Sequence, residues 1–430
     1  MYLSSSRLDR FNFNRTGELA LKGCKNFANM DFLITGFLHL LDFLIVFCEF
    51  SLYIVFIPFT PIIRFIAKKI LAKFNIRING DKKCDIVITD WRAYAYIASH
   101  GMVGATDAWG KFGWWRPNNL DNLTHQLFLN VGLLKKFRFL EPGPFFPLYH
   151  LRWDVFNIQS KERASTFCNY AYNLGKDFFS TFLDPNLLYS IPYYARGAKN
   201  FDEAQIHKME FHAEKLQLSP GMRVLDLGCG FGGMSRFLAE KHDVNVVGIT
   251  NSSEMAAHAK EMCGHLKSVE IQEVDWRDLK EPGKFDRIIG IEIMFHVGRH
   301  NLNEFFRKLH TWLKPGGICV LQDFSVRPGQ PKSMRFMQKI FPGHCILGLN
   351  EIFSISEKYF SLESYTDMTE DMAKCGPEMA QRLRKNWGNV KYDNAVFIEH
   401  EIFFGTAGYL GGTGVFTVQQ MVFKKLKIPF

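Results

Sequence analysis

VLDLGCGFGG, residues 224–233, decides the fold of this 430-residue chain. Arg223 to Leu227 is a short apolar run, RVLDL, that reads as a buried strand. Gly228, Gly230, Gly232 and Gly233 follow at once, and MSRFLAEKH then runs at helical spacing. Strand, glycine turn and helix in that order form a nucleotide-binding element, because the glycines let the backbone turn tightly and approach a ligand closely. Asp226 lies just before the turn and gives the spacing D-x-G-x-G. That spacing differs from the G-x-G-x-x-G that cradles a dinucleotide diphosphate. It leaves a carboxylate to organise the amino-acid end of a different cofactor.

Working outward, the next strand, VNVVGIT, ends at Thr250. Its tip is where a ribose contact is expected, with Asn251, Ser252 and Glu254 as candidates. In VEIQEVDWRDL, Asp275 and Trp276 stand at the strand end, where an acid can read an adenine amino group and a ring can stack on the base. FDRIIGIEI and, after the turn KPGG at Lys314 to Gly317, GGICVLQDF complete five strands. Four agreeing strand-end signals predict a doubly wound α/β sheet, the Rossmann-like core of a class I methyltransferase using S-adenosyl-L-methionine. The bland alternative is an α/β domain that binds another nucleotide.

The composition is that of an ordinary globular protein tilted slightly apolar, with 47% hydrophobic and 22% charged residues, which excludes a disordered or fibrous chain. Forty-two phenylalanines point to a Phe-rich core or to a lipid-facing surface. The net charge of +9 is compatible with nucleic acid or an anionic membrane. Zinc-finger spacing and RNA-binding signatures are absent, so no nucleic-acid partner is expected. The nine cysteines are odd in number and widely spaced without a CxxC, which argues against a disulfide framework or a zinc site and for a reducing compartment. No metal site is implied.

Phe32 to Ile63 is almost continuously apolar, interrupted by His39, Asp42 and Glu49. The length suffices for a membrane span or a short hairpin. An Asp at mid-membrane costs roughly 2.5–3.5 kcal/mol, however, and Pro58 and Pro61 break helix near the end. Arg15, Lys22 and Lys25 precede the run; Arg64, Lys68, Lys69, Lys73 and Arg77 follow it at near-helical spacing and suit anionic headgroups. A cytosolic-ended hairpin or an interfacial helix fits this symmetry best. The stretch does not read as a signal peptide, since it starts late and lacks a cleavage site. Three regions are therefore expected: 1–74 membrane-associated, 75–155 a small α+β module, and 156–430 the catalytic domain. Within the second, CDIVITDWRAYAYIASHG reads as alternating strand and turn, and EPGPFFP at 141–147 as a loop or linker.

From about Asp85 to Phe423 the chain resembles cyclopropane-fatty-acyl-phospholipid synthases, within a wider group that includes mycolic acid cyclopropane synthases and coclaurine N-methyltransferases. The likeness is carried in order by SHGMVG and GWW between Ser99 and Trp115, FNIQSKERA at 156–164, YNLGKDFF, LDPNLLYS, FDEAQIHKM, the glycine run, DWRDL, FDRII and KIFPG. It implies an N-terminal module that presents phospholipid acyl chains, a C-terminal S-adenosylmethionine domain, a membrane and a phospholipid or other lipid as partners, and cytosolic catalysis. It adds Tyr189 of LDPNLLYS to the cofactor set and leaves a homodimer open. The family's methyl transfer to an alkene ends with proton removal by a bicarbonate held by Cys, Glu, His and Ile side chains. Here YSIPYY puts Ile191 at the Cys position, IMFHVG puts Phe295 at the Glu position, and QDFS puts Gln322 and Phe324 at the His and Ile positions.

Those substitutions argue against ring closure by the usual route. Glu292 and His296 remain, four residues apart in IEIMFH, as they do in the N-methyltransferases, and are the candidate proton acceptors. Tyr193, with Tyr194 and Phe295, is a candidate for stabilising positive charge at ~0.5–2 kcal/mol per contact. Three functions stay open. The first is lipid methylation at a membrane, with or without a ring. The second is N-methylation of a small amine or amine-bearing lipid. The third is an inactive homologue that only binds cofactor or lipid.

Overall fold

The computed structural model describes residues 30–130, 132, 136 and 155–429; Arg15, Lys22, Lys25 and the 141–147 linker lie outside them. The chain divides into two compact units, 1–48 and 49–430. The described part of the first belongs to the helix Met30–Phe56, whose last turns open the second unit. Thr60–Lys73 forms the next helix, with Pro61 in its first turn, where proline's missing N–H costs nothing. Leu33–Lys73 is long and apolar enough, by length and composition, to cross a membrane.

The strands are β1 (Ile86–Ile88), β2 (Trp115–Pro117), β3 (Arg223–Leu227), β4 (Asn245–Thr250), β5 (Val269–Glu273), β6 (Phe285–Ile291), β7 (Leu313–Val326), β8 (Phe360–Asp367) and β9 (Phe416–Lys425). β1 and β2 pair antiparallel in a small sheet. The helix Arg92–Gly110 occupies most of the stretch expected to alternate strand and turn. Ala93, Tyr94 and Ala95 are buried on it, and helix-favouring alanines outweigh the β-leaning aromatics.

The other seven strands form one sheet in the order β5-β4-β3-β6-β7-β9-β8. β5 through β7 run parallel, whereas β9 is antiparallel to both β7 and β8. β3 is central because Val224 to Leu227 are all buried, which suits a strand covered on both faces. Chain order reverses on either side of β3, and the crevice beyond its C-terminal end is the expected ligand site of such a sheet. The sheet is two strands wider than the five read from sequence.

Phenylalanine builds the interior. Phe178, Phe179, Phe182, Phe231 and Phe404 are fully buried in one cluster over the β3 end of the sheet. The helices Thr369–Asn386 and Asn394–Gly412 close that side. Their backbones touch at Gly376, where an added Cβ would come within 2.3 Å of the Phe404 carbonyl oxygen.

Candidate active site

The glycine turn after β3 floors a cavity lined by Asp226, Gly228, Gly230, Thr250, Asn251, Trp276, Tyr189, Glu292 and His296. Gly228 is left-handed (φ 82°), and a Cβ there would meet the Ile293 side chain at 2.5 Å, so only glycine fits. Its N–H and that of Cys229 both donate to the Ile249 carbonyl, which pins the turn to β4. The Asp226 carboxylate accepts from Ser235 Oγ at 2.6 Å, and burial pushes its pKa up to about 6. Trp276 lines the opposite wall, braced edge-on by Phe305, with the Arg277 guanidinium 4.5 Å above its ring.

The remaining cofactor candidates stand outside this lining. Gly232 adopts φ 90° against Ala259, where it sets helix packing. Ser252 caps the helix Ser253–Cys263 by accepting from Met255 N, and its hydroxyl donates to Asn173 Oδ1 at 2.8 Å. Asp275 accepts from Asn251 Nδ2 at 2.8 Å and pairs with Arg277 at 2.9 Å. Its carboxylate thus orients Asn251, which does reach the cavity.

Glu292 follows directly on β6 with φ 55°, a left-handed backbone that side chains resist. Ile191 N and Gln322 Nε2 both donate to its Oε1, at 2.7 and 2.8 Å. Burial raises its pKa to about 7, against the pull of those donors and of Lys208. His296 bonds through Nε2 to the Tyr172 hydroxyl at 2.7 Å, and burial drives its pKa down to about 3, so the imidazole is neutral. Arg299, seven positions on, pairs with Glu351 at 3.7 Å. Tyr193, the candidate for stabilising positive charge, lines neither cavity. Its ring stacks on Phe211 at 4.4 Å and its N–H bonds Ala204, so the chain at Pro192 carries it away from both cavities.

A second, strongly apolar chamber adjoins the first and shares Tyr172, Tyr189, Ser190 and Glu292 with it. Phe295, Phe324, Met334, Phe341, Met379 and Phe403 are among its walls. Ile191, Phe295 and Phe324, three of the four positions that differ from the family pattern, therefore present hydrocarbon to this chamber. Sequence reasoning passed over Tyr172 and Lys208. Lys208 had a signal: Phe201, Ala204, Gln205, Lys208, His212 and Leu216 follow helical spacing and form one buried stripe, so a lysine and a histidine sit where apolar residues belong.

Residues 159–410 match the family model described as mycolic acid cyclopropane synthetase. The cyclopropane-fatty-acyl-phospholipid synthase of Escherichia coli is 35% identical over 308 residues, covering 71% of this chain and 78% of that one. The mycolic acid cyclopropane synthase CmaA1, solved with S-adenosylhomocysteine and CTAB, superposes with a TM-score of 0.57 at 28% identity, over 61% of this chain and 98% of its own. Coclaurine N-methyltransferase, at a TM-score of 0.58 over 75% of this chain and 99% of its own, is 18% identical and shares the fold alone.

Proposed function

The chain belongs to the mycolic acid cyclopropane synthetase family of S-adenosylmethionine-dependent methyltransferases, and from that premise we propose that its acceptor is an unsaturated acyl chain of a membrane phospholipid. The observation that carries the reading is the apolar chamber sharing a wall with the cofactor cavity. A hydrocarbon chain lying there brings its double bond to the wall formed by Tyr172, Tyr189, Ser190 and Glu292. CmaA1, solved with CTAB, a long-alkyl ammonium detergent, is consistent with a long-chain acceptor here.

The cofactor, when bound, supplies an electrophilic sulfonium methyl group. Asp226, Gly228, Gly230, Thr250, Asn251 and Trp276 would hold it, and a glycine-floored cavity with the Asp226 carboxylate and the Trp276 indole suits an amino-acid end and an adenine. The protein's own task is then alignment, exclusion of water and removal of one proton. Glu292 is the proton acceptor in this reading. A C–H bond beside the cationic carbon of the methylated chain breaks, its electron pair forms a new C=C bond, and the proton arrives at the carboxylate. His296, neutral and bonded to Tyr172, positions the shared wall. With Ile191, Phe295 and Phe324 facing the chamber, the product we favour is a methyl-branched chain without ring closure.

The helices between Leu33 and Lys73 are the proposed membrane attachment, with the catalytic domain cytosolic; the eight free cysteines among the described residues support a reducing side. Residues 75–155 fit a lipid-presenting module, since the helix Arg92–Gly110 packs against Asn394–Gly412, which carries chamber-lining Phe403, Phe404 and Ala407.

The test supplies methyl-labelled S-adenosylmethionine and vesicles of monounsaturated phospholipid, followed by mass spectrometry and proton NMR of the released acyl chains. The expected result is an acyl chain heavier by one CH2, without cyclopropane resonances. Cyclopropane resonances would restore ring closure. Label on nitrogen in the headgroup or in an added amine would replace the reading with N-methylation, and no label in any lipid would overturn it.

A further inference from the structure

The helix Phe201–Leu216 sends Gln205, Lys208 and His212 into the zone around Glu292, and all three are 0% exposed. A lysine is almost never fully buried without a partner. Gln205 Nε2 donates to the carbonyls of Leu188 and Ser190, which fixes the backbone leading to Ile191. Lys208 Nζ donates to Ser190 Oγ, and the next residue, Ile191, donates its N–H to Glu292 Oε1. Gln322 Nε2 clamps the far side, bonding both Ile191 O and Glu292 Oε1. Ser190 and Ile191 are thus a two-residue bridge with an ammonium at one end and the carboxylate at the other. Ser190 and Glu292 both line the two cavities.

Every packed element contributes groups to this zone. Beside Lys208, His212 accepts from Gln420 Nε2 on β9 at Nδ1 and is held neutral by burial, its pKa driven to about 3. On β7, Asp323 is occupied by the backbone N–H groups of Ile293, Met294 and Phe324. Cys375 on Thr369–Asn386, near Glu378 and Asp371, is pushed well above the usual thiol range by burial. Tyr172 and Tyr189 are pushed up for the same reason and stay neutral. Asp184, the other carboxylate felt by Lys208, already accepts from Asn186 N and Leu188 N. Lys208 is the cation of this set.

We infer that Lys208 is a positioning residue for proton removal: its buried ammonium, tethered to Ser190, keeps the Glu292 carboxylate charged and aimed at the wall between the two cavities. This rests on the reading of Glu292 as the proton acceptor. Removing an opposite charge at this range disfavours ionisation of a buried carboxyl. Burial holds Glu292 near pH 7 and brings Lys208 down to about 8, with Glu292 and Asp184 pulling Lys208 upward, so both ends of the bridge titrate close to neutrality.

The experiment measures kcat against pH for the full chain with labelled cofactor and monounsaturated vesicles. In Lys208→Met the rising limb moves up by about one pH unit and turnover near neutrality falls about fivefold, while cofactor affinity by calorimetry is unchanged. Lys208→Arg restores the limb toward the wild-type position. Ser190→Ala removes one hydroxyl and leaves both charges, so it shifts the limb the same way by less; it serves if Lys208→Met does not fold. A rising limb that stays in place in Lys208→Met, or in Ser190→Ala where that is the variant obtained, overturns the inference. Glu292→Gln separates this from failure of the parent reading. Full turnover in Glu292→Gln discards the proton-acceptor assignment itself. Lost turnover there, with an unmoved limb in the Lys208 or Ser190 variant, discards the role of Lys208 alone.

Discussion

Glu292 combines a left-handed backbone with a half-buried carboxyl whose charged form burial disfavours, and each is a cost to folding, the backbone alone ~1–3 kcal/mol. An acid whose folded pKa is raised, here from 4.5 to about 7, adds stability below its unfolded value and loses it as pH rises through the folded one. Glu292→Gln removes that dependence. Its stability advantage over the wild type should therefore grow between about pH 5 and about pH 8, by on the order of 3 kcal/mol, in denaturant titrations. A gap that is flat across this range would show that the carboxyl is solvated. At this scale the sequence was legible where chemistry is local. Gly228, Gly230 and Trp276 announce themselves through spacing, and Glu292 through its resemblance to a known pattern. Tyr193 did not, because Pro192 turns the chain and Phe211, eighteen positions on, provides the stacking surface. The tie of Asp275 to Arg277 cannot be read from a strand-end position.

The element that roofs the apolar chamber is the segment 332–346, whose Met334, Phe336, Met337, Phe341, His344 and Ile346 face inward. Its charged residues bolt it elsewhere. Arg335 forms a two-pronged pair with Glu49 on the N-terminal helix; Lys339 reaches Asp107 and Glu399 at 2.5 and 2.7 Å, and Lys332 reaches Glu351 at 2.7 Å. Glu49 is 1% exposed, so removing its partner strands a buried charge. Arg335→Met should cost ~3–5 kcal/mol in thermal or denaturant unfolding, and Glu49→Gln in the same chain should recover much of it. Equal losses in the single and double variants would show that the charges do not interact. In the sequence Glu49 was only an interruption of an apolar run. Its partner lies 286 residues away, and a pairing of that range leaves no local periodicity. β8 and β9 were missed for a related reason. β9 buries Thr417, Gln419 and Gln420 between β7 and β8, so its sequence lacks the apolar run that marked β3 to β7.

At the scale of the whole molecule, the proposed acyl substrate requires the protein to meet a bilayer, and the surface near residue 60 suits that proposal. Phe59, Ile62, Phe65 and Ile66 are all at least half exposed, which is unusual for contiguous large apolar side chains. Arg64, Lys68, Lys69 and Lys73 are exposed among them, with Lys69 seated 4.9 Å from the Phe65 ring. Apolar side chains with interleaved cations match an interface carrying acyl chains beneath anionic headgroups. The net charge of +9 acts in the same direction at longer range. Each lysine at such a surface contributes ~1 kcal/mol, so Lys68→Gln with Lys69→Gln should weaken association with anionic vesicles by about thirtyfold at low salt. The same variant should turn over monounsaturated chains in uncharged vesicles at the wild-type rate, because neither lysine lines a cavity. Raising the salt should erase the difference on anionic vesicles, since exposed charges are screened beyond ~10 Å at moderate ionic strength. Equal loss on charged and uncharged vesicles would instead place these lysines in folding, and the bilayer-facing role would pass to the apolar side chains alone.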